Sequence, residues 1–184
     1  MTHYTYVIDR YLLDKMGRAL QPAEQVRFIT GLEFPDGVIV LQHPLTLKAE
    51  TGLTHATPDP ASIARAQEHL LTLGLEIHAQ FHSHPGQDAG ATHPSTTDLE
   101  TARRWENGSP FLGAIFSNNG RYVRFFNHKQ ESKITIYGTH YRQLDDHLFE
   151  LYDPRVQATT ESPGVSDGPT RATPVVEPGR DQQG

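Results

Sequence analysis

Leu75-Glu76-Ile77-His78-Ala79-Gln80-Phe81-His82-Ser83-His84-Pro85 is the stretch on which the fold turns. Its side chains alternate with the period of a strand: Ile77, Ala79 and Phe81 take one face, His78, Gln80 and His82 the other. A helix is expected before it, because Ile63, Ala66, Leu70 and Leu73 fall at helical spacing, Leu71 widens the stripe and Gly74 stops it. A Gly- and Pro-containing loop follows over 85–94, and Ser95 then opens a second helix to about Glu106. Helix, strand, loop and helix in succession point to an α/β or α+β domain.

The same stretch carries the chemistry. His82 and His84, two apart at a strand end, share a face at a separation of roughly 7 Å, so both imidazoles can reach one cation. Asp98, one turn into the next helix, can add a carboxylate oxygen. Two nitrogens and one oxygen suit Zn²⁺ and leave a fourth position for water. Each feature alone has an ordinary reading. The chain has 11 His, so one HxH pair means little by itself. Ser95-x-x-Asp98 has the spacing of a helix capping box. His93 reads as a loop residue, and His78 as packed or solvent-facing.

Outward from there, Tyr4 to Ile8 is rich in β formers, and Asp9 can cap a helix from Arg10 to Leu20 with Leu12, Leu13, Met16 and Leu20 on one face. Residues 24–33 and 38–41 form a hairpin about Pro35-Asp36-Gly37. Residues 45–58 are polar and irregular. Phe111–Phe116 and Tyr122–Phe126 are strands joined by Asn118-Asn119-Gly120, a tight-turn signal. Ile134–Tyr137 is a further strand, and Tyr141–Tyr152 reads as a closing helix. Residues 1–152 thus form one domain. Residues 153–184, with five prolines and no aromatic, cannot bury enough apolar surface to offset their ordering entropy and are expected to be disordered.

Composition narrows the function. With 184 residues the chain can bury a core unaided. It has no cysteine, hence no disulfide, thiolate nucleophile or Cys-based zinc site. That fits a reducing cytosol, and a cytoplasmic location is the expectation. A net charge of −6 without a basic stripe argues against nucleic acid. Neither a signal peptide nor a membrane-spanning run is read from the sequence. No G-x-S-x-G elbow accompanies Ser83 or Ser95, which argues against a serine triad.

His82-Ser83-His84-Pro85, then Pro94 and Ser95-Thr96-Thr97-Asp98, with Glu24 ahead of Gly31, resembles the JAMM/MPN (JAB-type) zinc metalloprotease family in a compact, bacterial-like form. The resemblance runs from Tyr4 to about Tyr152 and implies the family's cytidine-deaminase-like sheet flanked by helices. It also implies one Zn²⁺ per chain on His82, His84 and Asp98, with Glu24 as general base and Ser95 as oxyanion donor. The reaction implied is cleavage after the C-terminal tail of a ubiquitin-like protein, in deconjugation or precursor processing. Activating and conjugating enzymes of a bacterial conjugation or antiphage system are the further partners it implies. Scaffold members without activity are the alternative.

Three departures bear on this. The loop between His84 and Asp98 is longer than the family's usual one, and Asp88 is an alternative ligand within it. Val26-Arg27 stand where Cys-Gly is often seen, and Glu33 competes with Glu24. No long zinc-binding insertion follows Phe116. Leu45 to Pro58 is the segment expected to contact the substrate tail.

Overall fold

The computed structural model describes residues 3–21, 25–45, 47, 49–51 and 56–153. The elements run β1 (His3–Asp9), α1 (Arg10–Ala19), β2 (Val26–Glu33), β3 (Val38–Leu45), β4 (Ala49–Thr51), β5 (Ala56–Pro58), α2 (Pro60–Thr72) and β6 (Glu76–Ser83). A short 3₁₀ turn (Ala89–Thr92) and α3 (Thr96–Trp105) follow, then β7 (Leu112–Ser117), β8 (Tyr122–Phe126), β9 (Glu131–Tyr137), β10 (Tyr141–Gln143) and β11 (Leu148–Leu151). Nine strands make one mixed sheet in the order β10-β11-β8-β7-β6-β2-β3-β1-β9, while β4 and β5 pair separately. This is the α+β architecture expected. The tail after Asp153 lies outside the described residues, as do residues 46, 48 and 52–55 of the segment from Leu45 to Pro58.

The sheet is covered on two faces by different helices. Neighbours on one strand point to opposite faces, and Phe28 and Ile29 of β2 enter separate cores. Ile29 joins Phe81, Phe116 and Phe125 with Leu12, Leu13 and Met16 of α1. Phe28 joins Leu70 of α2, Ile77 and Phe111, with Trp105 of α3 stacked on Phe111 at 5.1 Å. Asp9 caps α1 by accepting from the Tyr11 N–H, and Asp59 caps α2 likewise from Ala61 and Ser62.

Two sequence expectations are corrected. Ile77 does not share the core of Ala79 and Phe81. Ile29 pairs with Ala79 but Thr30 with Ile77, so His78 is the extra residue of a β-bulge, and the alternation reverses there. The closing helix over 141–152 is instead the β10–β11 hairpin. Tyr141, Leu144, Leu148 and Leu151 mimic a helical period. Asp145, however, accepts from the His147 and Leu148 N–H groups and turns the chain, and all of β11 is buried beside β8.

β6 and β7 are parallel, joined through α3. The crossover opens at the carboxyl end of β6, where open sheets place their ligands. β2 runs antiparallel to β6, so Val26 partners His82 and Gly31 partners Glu76.

Candidate metal centre

His82 is the last residue but one of β6, His84 leaves the strand beyond it, and Asp98 is the third residue of α3. The fold brings all three together. His82 Nε2 lies 3.1 Å from His84 Nε2 and 3.1 Å from Asp98 Oδ1, and His84 Nε2 is 3.4 Å from Asp98 Oδ2. Their side chains are 13%, 21% and 14% exposed, enough for solvent to reach them.

Two of the donors, His84 and Asp98, are aimed from behind. His84 Nδ1 faces the Ala91 carbonyl at 3.2 Å. A carbonyl only accepts, so the proton sits on Nδ1 and Nε2 carries a lone pair. Ala91 is held in turn by Asp88, whose Oδ1 accepts its N–H at 3.0 Å. The loop is tied down by backbone bonds from His84 to Phe116 and from Asn118 to Gly86, and by Ser117 Oγ donating to the Asp88 carbonyl at 2.7 Å. Asp98 is oriented by a capping box: its Oδ2 accepts from both Ser95 N–H and Ser95 Oγ at 2.7 Å. Capping and site-building are therefore one arrangement. Burial would raise the Asp98 carboxyl, but the two imidazoles beside it and the Ser95 hydroxyl outweigh burial and hold Asp98 well below the usual carboxylate range.

The donor set fits a metal. Tetrahedral zinc with bonds of about 2.0–2.1 Å separates neighbouring donors by about 3.3–3.4 Å. The two imidazole nitrogens, 3.1 Å apart, are close to that edge, and Asp98 brings one oxygen to 3.1 Å from His82 and its other oxygen to 3.4 Å from His84.

Other candidates separate cleanly. Asp88 caps the 3₁₀ turn and is not in the cluster. His93 is exposed and closes that turn. Ser83 is buried, and its Oγ donates to the Leu20 carbonyl at 2.6 Å, tying β6 to the end of α1. Glu33 ends β2 away from His82, in line with Ile39. Glu24 lies outside the described residues. A cavity of about 760 Å³, reaching from His93 and Pro94 to Lys133 and His147, includes none of the three ligand candidates. Sequence reasoning missed the Asp88–Ala91 support; its one signal was an Asp immediately before a small-residue turn.

A JAB1/MPN domain protein from Archaeoglobus fulgidus is similar over 72% of this chain and 98% of its own, at 16% identity and a TM-score of 0.41. A protein from Desulfitobacterium hafniense, solved in solution, is similar over 73% of this chain and 96% of its own, at 16% identity and a TM-score of 0.50, a likeness of fold. No curated protein matches the chain. The family of prokaryotic homologs of the JAB domain matches residues 13–129, a span that holds both imidazoles and the carboxylate. That span is well over half of the sequence, and the chain belongs to the prokaryotic homologs of the JAB domain.

Proposed function

We propose that this chain is a zinc-dependent hydrolase that cleaves the peptide or isopeptide bond after the C-terminal tail of a ubiquitin-like protein. The observation that carries the reading is the convergence of His82, His84 and Asp98, with the imidazole nitrogens 3.1 Å apart and a carboxylate oxygen within 3.4 Å of each, a donor set that suits zinc. Zinc held there would polarise a carbonyl and bring a water's pKa to about 7.

The protein supplies the remaining steps. A carboxylate outside the ligand set can take the proton of the attacking water and deliver it to the departing amine nitrogen as the C–N bond breaks. Glu24 is the residue for that role. It stands two positions before Val26, and Val26 is in register with His82. Ser95 is exposed, and its hydroxyl lies 2.7 Å from the Asp98 carboxylate. Turned outward, it donates to the carbonyl oxygen as negative charge develops there. An extended substrate tail would pair with a strand edge, and the short β4–β5 hairpin within Leu45–Pro58 is the proposed contact. Activating and conjugating enzymes would then be partners in the same system.

The test is cleavage of a ubiquitin-like protein fused through its tail to a reporter amine. Glu24→Gln is expected to lower kcat about 10²–10⁴-fold with tightly bound zinc retained. His82→Ala/His84→Ala is expected to lose that zinc and the activity together. Full activity in Glu24→Gln would remove the base assignment. No cleavage by the zinc-loaded parent of any tail fusion tried would leave the chain as a docking scaffold.

A further inference from the structure

A second group of metal-ligating side chains sits at the opposite end of β6. One oxygen of Glu33, one of Glu76 and one ring nitrogen of His78 lie within 4.8 Å of one another. The two glutamates are exposed, while His78 is 0% exposed. Its Nδ1 faces the Pro110 carbonyl at 3.3 Å, so the proton belongs on Nδ1 and the lone pair on Nε2. Nε2 is buried without a hydrogen-bond partner among the described residues. An acceptor buried in this way needs a ligand to justify its cost.

Local structure explains why the ring is there. His78 is the extra residue of the β6 bulge, and bulges re-aim side chains. Its Cδ2 edge lies over Gly31, the partner of Glu76: a Cβ on Gly31 would stand 3.3 Å from that ring carbon and 2.8 Å from the Val40 carbonyl oxygen. The bare glycine backbone leaves the imidazole room beside both carboxylates. A neutral imidazole fixed through its other nitrogen, facing two carboxylates, is a donor set for a divalent transition metal. It repeats the logic of His84, where Nδ1 is also committed to a carbonyl.

We propose that Glu33, Glu76 and His78 form a second divalent-cation site, distinct from the His82–His84–Asp98 centre and filled after it. The two lie roughly 13 Å apart along β6, four residues at strand rise. With two of its three donors in solvent, the second site binds more weakly than the first. An ion there ties the end of β2 to the start of β6 beside the bulge, and stabilises the folded chain by mass action.

The test uses Zn²⁺ alone, in equilibrium dialysis of the parent chain, of Glu33→Gln/Glu76→Gln, and of His82→Ala/His84→Ala. The parent is expected to bind a second ion at higher free zinc. Glu33→Gln/Glu76→Gln should lose that second ion and keep the first. His82→Ala/His84→Ala should keep one weak ion, with a zinc-dependent rise in Tm that vanishes when both pairs of substitutions are combined. His78 itself is buried, so the exposed glutamates are the safer positions to vary. Equal zinc binding by the parent and Glu33→Gln/Glu76→Gln would overturn the proposal. That outcome leaves the hydrolase reading untouched, since the first ion and the cleavage assay depend on His82, His84 and Asp98.

Discussion

His84 offers a lone pair at Nε2 because its Nδ1 is committed to the Ala91 carbonyl, and Ala91 is in place because Asp88 caps the 3₁₀ turn. The supports of metal-ligating imidazoles typically change affinity by about 10–100-fold when lost. Asp88→Ala is therefore expected to weaken tight zinc binding by about that factor without touching a proposed ligand. Asp88→Asn, which keeps a capping oxygen, should weaken it far less. Competition against a chromophoric chelator measures both, and an unchanged affinity in Asp88→Ala would show that the turn does not orient the ring. This support also marks the limit of what was legible. His82, His84 and Asp98 are side chains whose type and spacing announce a cation. The Ala91 carbonyl belongs to every residue type alike, so nothing in its identity reveals that it selects a tautomer. His78 was hidden for another reason: its burial and orphaned nitrogen come from a bulge that strict alternation does not predict.

At the level of elements, local signals succeeded where a cap or turn imposed a backbone geometry. Asp9, Gly74 and Asn118-Asn119-Gly120 did so. They failed over 141–152, where side-chain spacing fitted a helix but Asp145 and pairing with β8 decided for strands. The β7–β8 turn illustrates how such an element then docks. Asn118 and Asn119 take φ of 49° and 53°, Gly120 takes 83°, and Gly120 packs directly on Gly17 of α1. A Cβ on Gly120 would stand 2.6 Å from the Gly17 Cα, backbone that can yield only if the helix moves. Gly120→Ala should therefore cost about 2–4 kcal/mol, left-handed strain plus overpacking. Gly74 also has positive φ, 67°, but nothing lies within 4 Å of its added Cβ, so Gly74→Ala should cost only about 1 kcal/mol. Urea denaturation of the two variants separates conformation from packing; equal losses would mean that the contact between helix and turn contributes nothing.

Over the whole molecule, the order of elements placed the candidate centre at the carboxyl end of a parallel strand, and that much followed from reading helix, strand, loop and helix around His82. What closes the far side of the sheet did not follow, because it rests on a charge inside a strand. Glu150 of β11 is 5% exposed and receives Arg121 at 2.7 Å and Arg142 at 2.5 Å. One arginine follows the β7–β8 turn and the other lies on β10, so a single carboxylate joins three neighbouring pieces of the sheet. Burial alone would raise its carboxyl, but the two guanidinium groups outweigh burial and lower it from its ordinary 4.5. A group whose folded pKa is depressed stabilises the fold above its unfolded pKa, and that stability is lost as pH falls through the folded value. The parent should thus lose stability progressively below about pH 4.5. Glu150→Gln should be about 1.5–3 kcal/mol less stable at pH 7, the range for hydrogen bonds to a charged group, because both arginines are more than half exposed and can be rehydrated. Its stability should then fall less steeply with acid, so that the two curves converge as the parent's Glu150 becomes protonated. Urea melts across pH 2.5–7 would show this convergence; a constant offset between parent and variant would mean that Glu150 acts through its shape and not its charge.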